Sequence, residues 1–137
     1  MKELVRFGVS IEKELLTEFD RDIKEKDYPT RSKAVGDLIR ESLIKKEWTE
    51  GKEVVGAITL VYNHHKRELV NKLTDIQHDY HNLVVSSQHI HLDYDNCLEI
   101  VVAKGKAKEV EKLGQKLKAT KGVKHGSLIR ATTGKRI

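Results

Sequence analysis

A chain of 137 residues with 34% charged residues and a mean hydropathy of −0.54 has room for one ordinary domain or two small ones. It holds no run of 18 apolar residues, and acids interrupt its opening MKELVRFGVSIEKELL; neither a membrane-spanning helix nor a secretory leader is expected, and the cytoplasm is the expected location. The net charge of +5 permits a polyanionic partner, but residues 1–50 hold 11 Lys/Arg against 12 Asp/Glu and residues 51–137 hold 15 against 9, so charge alone does not nominate the N-terminal half as a nucleic-acid binder.

In chain order, residues 4–10 alternate as a short strand, with Phe7, Val9 and Ile11 on one side and Arg6, Gly8 and Ser10 on the other. Ser10 is placed to cap a helix from Ile11 to about Lys26, whose apolar side is Ile11, Leu15, Leu16, Phe19 and Ile23. Asp27-Tyr28-Pro29 ends it, because Pro29 cannot continue the helix and holds Tyr28 extended. Thr30 caps a second helix over 31–47 with Ala34, Val35, Leu38, Ile39 and Leu43 inward. The opening strand needs a partner for its backbone groups. Either it pairs with another copy as a two-stranded ribbon, or it adds to the edge of a sheet elsewhere in the chain.

Residues 49–53 form a candidate linker, and a different rhythm follows. Strands are predicted over 54–62, 83–93, 97–103 and 123–131, and helices over 65–79 and 106–120, with a turn at Asp95-Asn96. The order beta-alpha-beta-beta-alpha-beta is the ferredoxin-like motif, so the fold class is α+β. Two crossover helices on one face leave the other face to water or another subunit, and the apolar strands favour a subunit.

Six of the seven histidines lie between residues 64 and 91, and Cys97 is the one cysteine. On a strand, His89 and His91 point to the same side with Cα atoms about 7 Å apart. The returning strand brings Cys97 near them. Imidazole nitrogens and a thiolate suit a borderline or soft transition metal, whereas calcium and magnesium prefer oxygen. Water, or His78 or His81 from the preceding helix, would complete the shell; the sequence leaves the geometry open. His64, His65 and His125 read as solvated or interface residues, and Glu99 as a hydrogen-bond acceptor behind the ligands or a plain edge carboxylate. No serine elbow, phosphate loop or His-Glu-x-x-His is present, and no enzyme activity is expected.

The ordered set of motifs resembles the nickel-responsive regulator family across the whole chain. It comprises R-F-x-V-S at the start, Tyr28 to Ser32, Val61-Tyr62-Asn63-His64, Gln77-His78, His89-Ile90-His91, Asn96-Cys97-Leu98-Glu99 and Gly122 to Gly126. The resemblance implies a ribbon-helix-helix DNA-binding domain over 1–48, a linker over 49–53, and a ferredoxin-like, ACT-type domain over 54–137 that binds nickel and forms a tetramer. It implies Ni(2+) held by His89, His91 and Cys97 of one subunit and His78 of a neighbour. It also implies a homotetramer, a dimer of dimers, on double-stranded palindromic operator DNA; no other protein partner is expected. The usual outcome in such a family is repression of nickel uptake when nickel is bound.

By the same resemblance, paired strands enter the major groove with Arg6, Gly8 and Ser10 toward the bases. Arg31 and Ser32 anchor phosphate at a helix start. Two positions depart from the family pattern. Gly8 offers backbone alone where a polar side chain is usual. Lys33 replaces the glutamate of a capping box, so an accessory cation site with Asp37 is not carried over intact, and Lys33 is a candidate to reach a phosphate directly. A regulator of the same build responding to copper or cobalt, or an ACT-like regulator of a small organic effector, are the alternative readings.

Overall fold

The computed structural model describes residues 2–137, which form two compact units, one up to Glu41 and one over Ser42–Ile137. The first unit holds α1 (Lys13–Glu25) and the opening turns of α2 (Arg31–Thr49). Among the described residues, the segment predicted as a strand over 4–10 joins no ladder. Ser10 does not cap α1: the helix starts later, with Glu12 at the N-cap position and no side-chain capping bond. Thr30 does cap α2, accepting the Lys33 N–H at 3.1 Å. Both helices end in the same device. Tyr28 N–H returns to Ile23 O with Asp27 left-handed (φ 59°), and Lys52 N–H returns to Glu47 O with Gly51 left-handed (φ 71°).

The second unit begins with the last turns of α2 and continues as β1 (Glu53–Asn63), α3 (Arg67–Asp79), β2 (Val84–His91), β3 (Asn96–Lys106), α4 (Ala107–Lys118) and β4 (His125–Arg130). The sheet order is β2-β3-β1-β4, antiparallel throughout, and this is the predicted ferredoxin-like arrangement. Strand parity sorts the side chains. Val54, Ile58, Leu60 and Tyr62 of β1, with Cys97, Val101 and Ala103 of β3, are buried against Leu69, Leu73 and Ile76 of α3 and Val110, Leu113 and Leu117 of α4. The alternate positions, Val55, Ala57, Val61, Leu98, Ile100 and Val102, are only half-buried, because both helices lie on the first face. No helix among the described residues is long and apolar enough to cross a membrane.

Candidate functional site

The hairpin of β2 and β3 builds the site. Register sets His89 opposite Glu99 and His91 opposite Cys97, so all four side chains start from the same face of the sheet. The connection spans Leu92 to Asp95. The Asp93 carboxylate closes it by accepting the N–H groups of Asp95 (3.0 Å) and Asn96 (2.7 Å). The backbone bond from Asn96, more than any other contact, holds the Asp93 carboxyl below the usual carboxylate range. Asn96 is therefore the first residue of β3 rather than part of the turn.

Cys97 is buried at 1% exposure, and its Sγ lies 4.0 Å from His89 Nδ1. The other ring nitrogen, Nε2, lies 3.4 Å from Glu99 Oε2. Glu99 is itself buried at 2%, which a carboxylate tolerates only when fully hydrogen-bonded. It accepts from Tyr62 Oη at 2.6 Å, Gln77 Nε2 at 2.9 Å and Ser87 Oγ at 3.1 Å. Burial, reinforced by the neighbouring Glu99, raises the Tyr62 phenol well above its ordinary value and keeps it a donor. The carboxylate thus sits on the Nε2 side of the imidazole, with Nδ1 turned toward the thiol. Tyr62 and Gln77 carried no role in the residue-by-residue reading; strand parity on β1 and the helix end before His78 were the available signals.

Among the four expected ligands, the side-chain contact within this chain is the one between His89 and Cys97, and His91 stands opposite Cys97 in the ladder. The His91 ring stacks on His64, with centroids 4.5 Å apart and planes 5° apart. His64 and His65 each place Nε2 at 2.8 Å from Tyr94 O, so they pack over the hairpin loop rather than standing free in solvent. His78 is exposed near the end of α3, its ring 6.3 Å from that of His81. Among the described residues, no three His, Cys, Asp or Glu side chains of the one chain gather at an ion-sized position. The donor chemistry at His89 and Cys97 nonetheless fits a borderline transition metal better than a hard cation.

In the first unit, Arg6, Gly8 and Ser10 lie on the exposed segment before α1, between exposed Val5, Phe7 and Val9. Arg31 forms a paired contact with Asp20, Nε to Oδ1 at 2.8 Å and Nη2 to Oδ2 at 2.7 Å. Lys33 Nζ bonds Asp37 Oδ1 at 2.7 Å, so both bases at the start of α2 have carboxylate partners. Ser32 is exposed beside them.

Residues 55–131 match the family described as the NikR C terminal nickel binding domain. Relatives named as nickel-responsive regulators include one from Syntrophus aciditrophicus, 59% identical over 93% of each chain. Another, from Chlorobium limicola, is 54% identical over 98% of this chain and all of its own. One from Pyrococcus furiosus is 52% identical over 98% of each. An uncharacterized protein from Thermotoga maritima shares the fold, with a TM-score of 0.52 at 12% identity over 58% of this chain and 98% of its own.

Proposed function

The chain belongs to the nickel-responsive regulator family, a family of regulators rather than enzymes, and on that premise we propose that it is a nickel-dependent, sequence-specific DNA-binding transcriptional regulator. It represses nickel uptake when nickel is bound, and it works in the cytoplasm, where the thiol stays reduced. The observation that carries this reading is the buried Cys97 thiol facing His89 Nδ1 at 4.0 Å, with Glu99 behind the ring. His89, His91 and Cys97 of one subunit hold the ion together with His78 of a second copy. Bound nickel supplies a positive centre that takes imidazole and thiolate lone pairs. Glu99 orients His89, and the Asp93-closed loop fixes the hairpin on which His91 and Cys97 stand opposite each other.

Residues 1–48 are the DNA-binding part, 49–53 the linker and 54–137 the metal-binding and tetramerising part. The half-buried sheet face with Val55, Val61, Leu98 and Ile100 supports association of sheet domains. Phe7 and Val9, each 68% exposed on an unpaired segment, support an intermolecular ribbon. Two such segments side by side present Arg6, Gly8 and Ser10 to base edges, with Arg31, Ser32 and Lys33 toward phosphate. Arg31 and Lys33 then exchange their Asp20 and Asp37 partners for phosphate or share them.

The test is a mobility shift on palindromic duplexes selected from a random pool, with nickel titrated against the wild type, His89→Ala and Cys97→Ala. Nickel is expected to tighten wild-type binding and to leave both variants unmoved. A response to copper or cobalt but not nickel would change the ligand. Equal retention with and without metal in all three proteins would remove metal sensing and favour an organic effector.

A further inference from the structure

A groove of about 1160 Å³ runs between α3 and the end of α4, within the sheet domain. Leu69, Lys72, Ile76 and Asp79 line it from α3, at the three- and four-residue steps that share a helix face. Lys116, Ala119 and the turn over 120–122 line it from the other side. That turn is drawn tight against α3: Gly122 is left-handed (φ 103°), and a Cβ there would lie 3.0 Å from Leu69 Cδ2. Thr120 O accepts the Val123 N–H at 3.1 Å, and Thr120 Oγ1 donates to Lys116 O at 2.8 Å, so the turn is fixed from within. Leu69 and Ile76 are buried, and with the Ala119 methyl they give the groove an apolar floor.

Charge is spread unevenly along this groove. Lys66 and Arg67 stand at the start of α3, Lys121 stands in the turn packed against that start, and Lys72 follows one turn on. At the other end Asp79 balances Lys116, whose Nζ lies 5.4 Å from the Tyr80 ring centroid. Exposed bases elsewhere take carboxylates: Arg21 with Glu18, Lys26 with Asp22, and Arg31 with Asp20. Among the described residues, the side chains of Lys66, Arg67, Lys72 and Lys121 form no such pair, although Glu68 lines the same end. Helix stability does not account for these bases either. Cations favour the negative, C-terminal end of a helix, which suits Lys116 and Lys118 on α4, whereas Lys66 and Arg67 sit at the positive end of α3. Gathered there, they repel one another and keep their hydrogen-bond donors free.

We infer that this groove binds a nucleoside polyphosphate. Phosphate oxygens at the start of α3 take charge-assisted hydrogen bonds from Arg67, Lys66 and Lys121, which offsets a repulsion that no carboxylate of the chain offsets. The apolar floor takes the ring system of the nucleoside. From Leu69 to Asp79 the groove follows about 15 Å of helix, room for an extended nucleotide. A DNA duplex is too wide to enter between two packed helices; its phosphates would meet the rim bases and leave the floor uncovered. The inference goes beyond the regulator reading and requires neither nickel nor an operator.

The test titrates the full chain, with no divalent cation added, with adenosine triphosphate, inorganic pyrophosphate, inorganic phosphate and adenosine, followed by calorimetry and by amide NMR shifts. Adenosine triphosphate is expected to bind saturably and about tenfold or more tighter than any of the other three, because it alone uses both the bases and the floor. The amides of Lys72, Thr120 and Gly122 are expected to shift with it. Arg67→Gln and Lys121→Gln are each expected to weaken that binding about fivefold or more. Lys108→Gln, which removes a base of α4 outside this groove, is expected to change it less than about twofold. Equal weakening by Lys108→Gln would reduce the effect to general charge and overturn the inference. So would binding no tighter than that of pyrophosphate, which leaves the floor without a role, or groove amides that shift with duplex DNA and not with the nucleotide. None of these readouts uses nickel, so their failure leaves the regulator reading standing.

Discussion

The unit up to Glu41 and the unit from Ser42 onward treat their apolar side chains in opposite ways. In the first, Ile23 and Ala34 are the buried hydrophobics among the described residues, while Leu4, Val5, Phe7, Val9, Leu15 and Leu38 are each more than half exposed. In the second, a contiguous core joins α3, α4 and the inner sheet face, with Ile58, Leu60, Leu113 and Leu117 at zero exposure. A pair of helices with one unpaired extended segment cannot enclose a core, because it has one layer; a sheet with two helices on it has two. The difference teaches that the second unit closes a core from its own elements, whereas the first leaves most of its apolar side chains exposed.

The largest effect expected from this contrast comes from truncating a leucine in each unit. Leu113→Ala, in the closed core, is expected to lower the stability of the sheet domain by about 2–5 kcal/mol when compared with wild type at the same protein concentration. Leu15, 56% exposed on α1, would cost under about 1 kcal/mol if the first unit worked alone. On the proposed reading, in which a second copy covers that face, Leu15→Ala is expected instead to give a melting point that drops with dilution more steeply than in wild type. A small and concentration-independent loss would break the comparison.

A smaller effect sharpens it. The same helix-closing turn is made with Asp27 in the first unit and Gly51 in the second, both left-handed. Asp27→Gly is expected to stabilise the first unit by a few tenths to about 1 kcal/mol, the steric relief outweighing the added freedom of the unfolded chain. Gly51→Ala is expected to destabilise the second by about 1 kcal/mol or more. Chemical denaturation followed at probes in each unit measures both, and equal responses would mean that the two turns are not under the same constraint.

The smallest effect is electrostatic. The Arg31 guanidinium hydrogen-bonded to Asp20 holds that carboxyl below the ordinary carboxylate range. Lys33, in the same way, holds Asp37 down. A carboxyl with a folded-state pKa lower than its unfolded one stabilises at neutral pH, and that contribution disappears as the pH falls through the lowered value. Both pairs are exposed, so the gain is modest and salt-sensitive. Acid titration of the first unit's unfolding is expected to show a small loss below the usual carboxylate range that Arg31→Gln removes. An acid limb unchanged by Arg31→Gln would mean that Asp20 is not held by this pair.

Much of this was legible in the sequence because periodicity records burial. The near-continuous apolar run over 54–62 marks a strand, and the spacing of Leu69, Leu73 and Ile76 and that of Val110, Leu113 and Leu117 fix which side of each helix meets the core. The order of elements then fixes the ferredoxin-like fold. The His89–His91 spacing and Cys97 just beyond a turn likewise placed these three residues on one face of the hairpin, since side-chain direction on a strand has period two. What only the tertiary structure decided are meetings between residues far apart in the chain. Glu99 with Tyr62 and Gln77, His91 stacked on His64, and Arg136 on Glu47 have no local signature. Polar partners are chosen by register and by how the chain returns, and no short-range pattern in a sequence encodes either.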